Sequence, residues 1–300
     1  MPALTDIVSL DEAEWTARRR AHAERVRPWT ADRLLRAGRG EKHPVYDFLF
    51  TYYGYKPGRL ARWEPGFGTA LRGEAARDYL GYTGYVATEA GVALDPALAD
   101  DKRLASVRWI RALLAATRSR AGSFGCFGLH EWAMVYRTDE VRHALPLRLS
   151  SEDLARFVES QPVRCTHFDA FRFFTPEARP LNRFQPTRET APELEQPGCL
   201  HANMDLYKWA YKLAPFCPSE LMGDAFEVAV AARETDMRAS PYDVSSLGFG
   251  NIPIETPEGR LRYEAEQRAV AAQAAPVREA LIALCDRITG GTPHAEAAAG

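Results

Sequence analysis

The amino-acid sequence lacks any hydrophobic run long enough to cross a membrane. None of its segments approaches the roughly 18 uninterrupted apolar residues that a transmembrane helix needs. The first residues, MPALTDIVSLDEAEW, are acidic and contain no apolar core of the kind that a secretory signal carries. The sequence therefore predicts a cytoplasmic protein without a membrane partner.

Cysteine is scarce, and its spacing disfavours two kinds of structural cross-link. The five cysteines are an odd number, and no two of them are close together in the sequence; they are Cys126, Cys165, Cys199, Cys217 and Cys285. A disulfide framework or a zinc ribbon would need paired cysteines at short intervals. Free thiols in a reducing compartment fit this pattern best.

The sequence also lacks the loops that bind nucleotide phosphates and the elbow that carries a serine nucleophile. Neither G-x-G-x-x-G nor G-x-x-x-x-G-K-[S/T] occurs, so no nucleotide cofactor is predicted, and G-x-S-x-G is absent as well. Lysine supplies only five of the 38 basic residues, and the net charge is −2. A non-specific nucleic-acid binder would be strongly basic, so the composition disfavours that class.

What the sequence does contain is the composition of a globular chain, with 46% hydrophobic and 26% charged residues. Pro28 is expected to divide the helix that is predicted over residues 10–39 into two pieces. Apolar residues at helical spacing and helix-start signals predict helices over residues 10–39, from 44 onward, and over 103–120, 151–160, 199–213, 220–238 and 257–287.

Strand signals are few. Alternation in PVRCTHFDAFRFF predicts a strand over residues 162–174, and a second short strand is predicted over 251–255. Residues 125–138 fit either a strand or a buried helix. Five prolines within residues 176–199 predict a long loop, and loops of that length are more often functional than idle.

These elements predict a mainly α fold with a few short strands, so that the α+β character is minor. We expect a compact helical domain that carries the long Pro-rich loop. The expected organisation is an N-terminal helical arm over residues 1–40, a single catalytic domain over 41–290 and a disordered tail over 291–300.

Histidines that stand near carboxylates inside apolar segments carry the chemical signal. His201 and Asp205 are four residues apart on a predicted helix, and His167 and Asp169 are two apart on a predicted strand, so each pair shares one face. Two histidines with one carboxylate form a common non-haem iron centre. We expect a divalent transition metal, with iron first and zinc or manganese next. Its expected ligands are His167, His201 and Asp205, with His130 or Asp169 completing the set.

Arginine, acidic and aromatic side chains near these histidines predict a site for a small polar or aromatic substrate. Arg188 in the Pro-rich loop and Arg172 on the predicted strand suit a substrate carboxylate or phosphate. The aromatic residues expected to contact the substrate are Trp132, Trp209 and Tyr211. The carboxylates expected to take part in catalysis are Glu131, Asp205 and Glu189.

Other interpretations stay open at this point. Each His–acid pair is also consistent with a structural hydrogen bond, and the protein would then bind a small ligand without catalysis. Glu227 and Glu234 are seven residues apart on one helix face, where they would suit a second metal ion. The aromatic content also allows a homodimer.

Several segments resemble a family of actinobacterial proteins that are commonly named 3-methyladenine DNA glycosylases. These segments are HPVYDFLFTYY, GCFGLHEWAMVYR, CTHFDAFRFF, PTRET, EQPGCLHANMDLYKWAYKL and RETDMRASPYD, and together they span about residues 40–265. The resemblance implies hydrolysis of an N-glycosidic bond in DNA. It implies that Asp205 or Glu131 activates water and that Trp132 or Trp209 stacks on the base. Nucleic acid would then be a partner, with residues 18–39 as the candidate basic face.

Overall fold

The computed structural model of the protein describes residues 7–290, so the predicted tail over 291–300 lies outside the described residues. Helices hold 57% and strands 6% of the described chain, which confirms the prediction of a mainly helical fold with a few short strands. No helix within the described range combines the length and the apolar character that a membrane crossing requires.

Eleven α-helices of very different lengths occur in the described part of the chain. They are α1 Glu12–Gly38, α2 Tyr46–Thr51, α3 Pro57–Ala61, α4 Asp101–Arg118, α5 Leu129–Ala133, α6 Ser151–Ser160, α7 Phe168–Phe171, α8 Ala191–Leu194, α9 Leu200–Lys212, α10 Ser219–Ala239 and α11 Pro257–Thr289. Short 3₁₀ turns lie at Ala75–Gly81, Pro96–Leu98, Arg179–Leu181 and Ser245–Leu247.

The centre of the fold is the pair of helices α9 and α10, which pack along each other. Of the α9 residues, only Lys208, Tyr211 and Lys212 are more than slightly exposed. A helix that is buried on almost every side is a core helix, and its neighbours must cover it from several directions. The long helix α11 packs on α4, α9 and α10 and provides part of that cover.

The ends of α11 follow the signals in its sequence. The Thr256 side chain accepts a hydrogen bond from the Gly259 amide at 3.0 Å, and Pro257 occupies the first helical position. Gly290 ends the helix in the left-handed conformation, with φ +73°, which glycine adopts without steric cost. The predicted start of this helix is confirmed, and its end lies two residues beyond the prediction.

A small mixed sheet lies beside the start of α1. Its strands are β1 Val8–Leu10, β2 Thr69–Leu71, β3 Tyr85–Thr88 and β4 Gly91–Leu94, in the order β1-β2-β4-β3, with β1 parallel to β2 and the other neighbours antiparallel. The Trp15 indole of α1 donates to the Arg72 carbonyl at 2.9 Å and ties the first helix to this sheet. Strands of three or four residues are too short to show a clear alternation, so the sequence did not reveal them.

Both strands that the sequence did predict are wrong. Residues 162–174 contain α7 in place of a strand, and residues 251–255 have no regular structure. At Cys165 the physical reason is visible. The Asn182 side chain accepts from the Cys165 amide at 2.7 Å and donates to its carbonyl at 2.9 Å, so a side chain satisfies the groups that a neighbouring strand would bind.

Two other local predictions are settled by the structure. Helix α1 continues through Pro28, so the predicted break is wrong. The helix packs on the core on both sides of that proline, through His22, Val26 and Thr30. Residues 125–138, which fitted either a strand or a helix, contain the short helix α5. All five cysteines are free, as their spacing predicted.

His22 makes the stability of the packing between α1 and α3 depend on pH. The residue is 3% exposed, and its Nε2 lies 2.8 Å from the Leu60 carbonyl oxygen. Burial lowers the pKa of His22 below its ordinary value of 6.5, and the Leu60 carbonyl opposes this shift without cancelling it. The unfolded chain therefore binds the proton more readily. The contribution of His22 is complete above pH 6.5 and is lost as the pH falls below it.

We therefore expect the H22Q variant to lose less stability on acidification than the natural protein. Between pH 6.5 and about 5, the free energy of unfolding should fall more steeply for the natural protein, by up to about 1.4 kcal/mol per pH unit. Urea denaturation at a series of pH values measures both slopes. Equal slopes would contradict the assignment of a lowered pKa to His22.

Candidate metal centre

A strained turn places the first histidine of the site. Phe127 and Gly128 both have positive φ, +48° and +72°, immediately before α5. Glycine tolerates this conformation, whereas a phenylalanine is strained there by roughly 1–3 kcal/mol. Strain of this kind is typical of functional sites. The turn directs α5 into the core, where His130 reaches α10.

Three side chains from three helices converge at this point. The His130 Nε2 lies 2.6 Å from Oδ1 of Asp236 on α10, and the His201 ring from α9 stands edge-on to the His130 ring with centroids 4.5 Å apart. One ligand atom from each residue lies within 4.8 Å of the other two. We call His130, His201 and Asp236 the triad.

The two imidazoles of the triad differ in protonation. Burial and the charge on His130 lower the pKa of His201 to about 3, so its ring is neutral. Burial also disfavours the charged form of His130, but the Asp236 carboxylate outweighs it and raises the pKa of His130 well above its usual range. Within the described chain, no protein group hydrogen-bonds the ring nitrogens of His201. Its lone pair is therefore available.

Side chains around the triad fix its orientation. Cys126 Sγ lies 3.7 Å from the Nδ1 of His130 and holds the ring so that Nε2 points at Asp236. The Arg233 guanidinium contacts the second carboxylate oxygen of Asp236 at 3.3 Å and Glu131 at 3.0 Å. Burial raises the pKa of Glu131, but the charges of Arg233, His143 and His130 outweigh it and lower that pKa to about 2. Glu131 therefore serves as an ionised partner of the arginine.

His167 belongs to a second group of ionisable residues beside the triad. Its ring is tilted against that of His201, with centroids 5.5 Å apart. Its Nε2 lies 3.4 Å from Oδ2 of Asp205 and 3.6 Å from Oε1 of Glu195. These contacts are too poorly aligned to count as hydrogen bonds, and both ring nitrogens of His167 remain without a well-formed partner.

Asp205 is held as a carboxylate mainly by Lys208, with a contribution from His167. Lys208 Nζ donates to Asp205 at 2.9 Å and to Asp169 at 2.8 Å, and the Tyr53 hydroxyl donates to the other Asp205 oxygen at 2.9 Å. Burial alone would raise the pKa of Asp205, but the Lys208 charge and His167 outweigh it and hold that pKa far below its usual range. Burial raises the pKa of Glu195, which accepts no comparable side-chain hydrogen bond within residues 7–290.

His167, Glu195 and Asp205 form the floor of a cleft of about 920 Å³. Its walls come from α4, α9 and the Pro-rich loop. Its lining includes the predicted residues His167, Asp169, Arg188, Asp205 and Trp209. A separate cavity of about 20 Å³, large enough for one water molecule or one ion, is lined by His130 and His201 with three thiols, those of Cys126, Cys165 and Cys199. His167 separates the triad from the cleft.

The predicted metal ligands are thus divided between two neighbouring groups. His130 and His201 lie in the triad, whereas His167, Asp169 and Asp205 lie in the cleft. The carboxylate of the triad, Asp236, was not among the sequence candidates. A signal for it exists: Ala225, Ala229, Ala232 and Asp236 recur at intervals of four and three residues, and all are fully buried. An acid on such an apolar helix face requires a partner.

The predicted substrate-binding residues lie in different surroundings. Arg188 and Trp209 line the cleft. Arg172 pairs at 3.0 Å with Asp169, which lines the cleft, and its guanidinium stacks on the Phe173 ring. Trp132 is fully buried and donates to the Ala239 carbonyl, and the Tyr211 hydroxyl donates to the Tyr53 carbonyl at 2.8 Å.

The remaining predicted carboxylates have separate partners. Glu189 lies in the Pro-rich loop, where the Thr187 hydroxyl lowers its pKa below the usual range. Glu227 accepts two hydrogen bonds from Arg25 at 2.6 Å, and Glu234 accepts one from the Tyr46 hydroxyl at 2.7 Å. The structure does not bring Glu227 and Glu234 to one common group.

Comparison of the chain with protein-family models, with curated proteins and with solved structures finds no match. The function therefore has to be inferred from the residues of the triad and of the cleft.

Proposed function

We propose that the protein is a metal-dependent enzyme whose metal ion is held by His130, His201 and Asp236. His130, which is protonated in the metal-free protein, would release its proton to solvent when the ion binds. The observation that carries this proposal is the convergence of three ligand atoms, one from each residue of the triad, within 4.8 Å of one another in the interior of the protein. The His201 imidazole is neutral and makes no hydrogen bond within residues 7–290, so a lone pair is free to bind a metal ion. It stands beside a second imidazole and a carboxylate that are oriented by neighbouring side chains.

The donor set favours a particular group of metals. Two histidines and one carboxylate match the ligands of non-haem iron centres, and zinc or manganese accepts the same donors. Iron bound there would supply redox chemistry with oxygen. The protein's own contribution is the fixed direction of the donors, since Cys126 orients His130 and Arg233 orients Asp236.

The substrate would bind in the adjoining cleft, and we expect it to be a small polar or aromatic molecule. Arg188 and Trp209 line this cleft and supply a cation and an aromatic wall. Lys208 keeps Asp205 ionised at the floor. His167 lies between the cleft and His201, so its ring would separate a bound substrate from the triad.

Metal loading tests this proposal. Protein treated with a chelator and then incubated anaerobically with Fe(II), Zn(II) or Mn(II) should retain about one equivalent after desalting. Elemental analysis of the desalted protein measures the stoichiometry. Retention of less than about 0.1 equivalent of every metal would show that His130 and Asp236 form only a structural ion pair. The protein would then be either a metal-free enzyme or a non-catalytic binder.

A second candidate function is hydrolysis of an N-glycosidic bond, and Asp205 is the observation that favours it. Its carboxylate is held ionised at the floor of a cleft whose wall contains Trp209, so its negative charge could stabilise the positive charge that develops on the sugar as the bond breaks. Incubation with alkylated DNA tests this function. Release of free base that is lost in the D205N variant would support it, and no release at micromolar enzyme would remove it.

A further inference from the structure

The rim of the cleft carries three cations that form no ion pair within the described part of the chain. Lys102, Arg188 and Lys212 are all exposed there, and none of them forms an ion pair with a carboxylate of residues 7–290. The opposing charges there are Asp100, whose carboxylate caps α4 through the Arg103 amide at 2.7 Å, and Glu189, the exposed neighbour of Arg188 in the Pro-rich loop. Unpaired cations around a concave site attract anions.

Acidic residues deeper in the cleft do not cancel this rim. Asp169 and Asp205 are both bound by Lys208, so that the three side chains together carry a net charge of only −1. Glu195 lies at the buried floor, next to His167. The positive charge is therefore concentrated where a ligand enters.

Aromatic surface lies next to the cationic rim. Trp109 is 47% exposed, which is unusual for so large an apolar side chain, and its ring meets that of Trp209 edge-on with centroids 5.4 Å apart. Phe168 lines the cleft below Arg188, whose guanidinium stands 5.9 Å from the ring centre. Flat rings at an open cleft are suited to stacking against a planar ligand.

We propose that this cleft binds a small aromatic anion, with its ring against Trp109, which packs on Trp209, and its phosphate or carboxylate among Lys102, Arg188 and Lys212. As the identity of a substrate, this inference rests on the proposed function; as a binding site, it requires no metal. The volume of about 920 Å³ suits a ligand of this class, because small-molecule sites span roughly 300–1,000 Å³.

Calorimetric titration of chelator-treated protein tests the inference without involving the triad. The probes are 1-naphthyl phosphate and 1-naphthoate, compared with neutral 1-naphthalenemethanol and with inorganic phosphate. We expect one or both naphthyl anions to bind at least about 10-fold more tightly than either comparison molecule, and the binding to weaken as salt is added. Whichever of 1-naphthyl phosphate and 1-naphthoate binds more tightly shows whether the site prefers a phosphate or a carboxylate.

Variants locate the binding within the cleft. The K102A/K212A double variant should weaken binding of the preferred naphthyl anion by about 10-fold, and W109A should weaken binding of both the anion and the neutral alcohol. The double variant K42A/K56A removes two exposed lysines outside the cleft and should leave the dissociation constant unchanged. All these positions are exposed, so the variants are expected to fold.

Three outcomes would overturn the inference: equal affinity for the anions and the neutral alcohol, unchanged affinity in K102A/K212A, or affinity for a single-stranded oligonucleotide far above that for the naphthyl anions. The last would identify the rim as a nucleic-acid surface. Because metal is absent throughout, failure here leaves the metal-loading result untouched, and failure of metal loading leaves this binding site standing.

Discussion

Replacing Arg233 with methionine is expected to lower the free energy of unfolding by about 3–5 kcal/mol. The side chain is 1% exposed and contacts Glu131 at 3.0 Å, Asp236 at 3.3 Å and His143 at 3.3 Å. Methionine fills a similar volume, so the loss comes mainly from Glu131, which loses its cation, and from Asp236, which keeps only His130. Urea denaturation at neutral pH measures the change.

A matched substitution on the surface separates this effect from the loss of any arginine. Arg18 forms an exposed pair with Glu14 one turn away on α1, and R18M is expected to cost at most about 0.5 kcal/mol. Adding E131Q to R233M should restore part of the lost stability, because it removes one uncompensated charge. A loss below about 1 kcal/mol for R233M would contradict the ionic character of this cluster.

Replacing His201 with alanine is expected to weaken metal binding by more than about 100-fold, since even the loss of a residue that only orients a ligand costs roughly 10–100-fold. The substitution removes a donor that makes no hydrogen bond within the described chain, so the fold should persist. Competition with a chromophoric chelator measures the affinity, and thermal unfolding of the metal-free proteins checks that H201A is folded.

The neighbouring His167 provides the control. Its ring lies 5.5 Å from that of His201, but it belongs to the group of Asp205 and Glu195. The H167A variant should retain metal affinity within about 10-fold of the natural protein, which is no more than the effect of altering a neighbouring residue. Loss of metal in H167A with retention in H201A would move the centre to His167 and Asp205, the set that the sequence alone suggested.

The fold was predictable where the sequence repeats a pattern over several turns. The apolar spacing of α4 and the Thr256-Pro257 start of α11 both depend on local interactions, and both predictions are confirmed. The sheet was not predicted because its strands are only three or four residues long. The predicted strand at residues 162–174 was wrong because Asn182, a residue outside it, satisfies the Cys165 backbone.

The candidate site shows the same limit. Histidine in an apolar segment drew attention to His130 and His201, which both lie in the triad, but spacing within one segment could pair His201 only with Asp205, its neighbour on the helix. Asp236 lies 35 positions further along the chain than His201 and 106 beyond His130. Only the packing of α9 against α10 and the turn before α5 bring the three together.

The most direct test of the central claim is an anomalous difference map, collected at the absorption edge of the retained metal, from crystals of the reconstituted protein. We expect one strong peak enclosed by His130, His201 and Asp236. A map without a peak at that position, or with its peak beside His167 and Asp205 at the floor of the cleft, would contradict the claim that the triad is the metal centre.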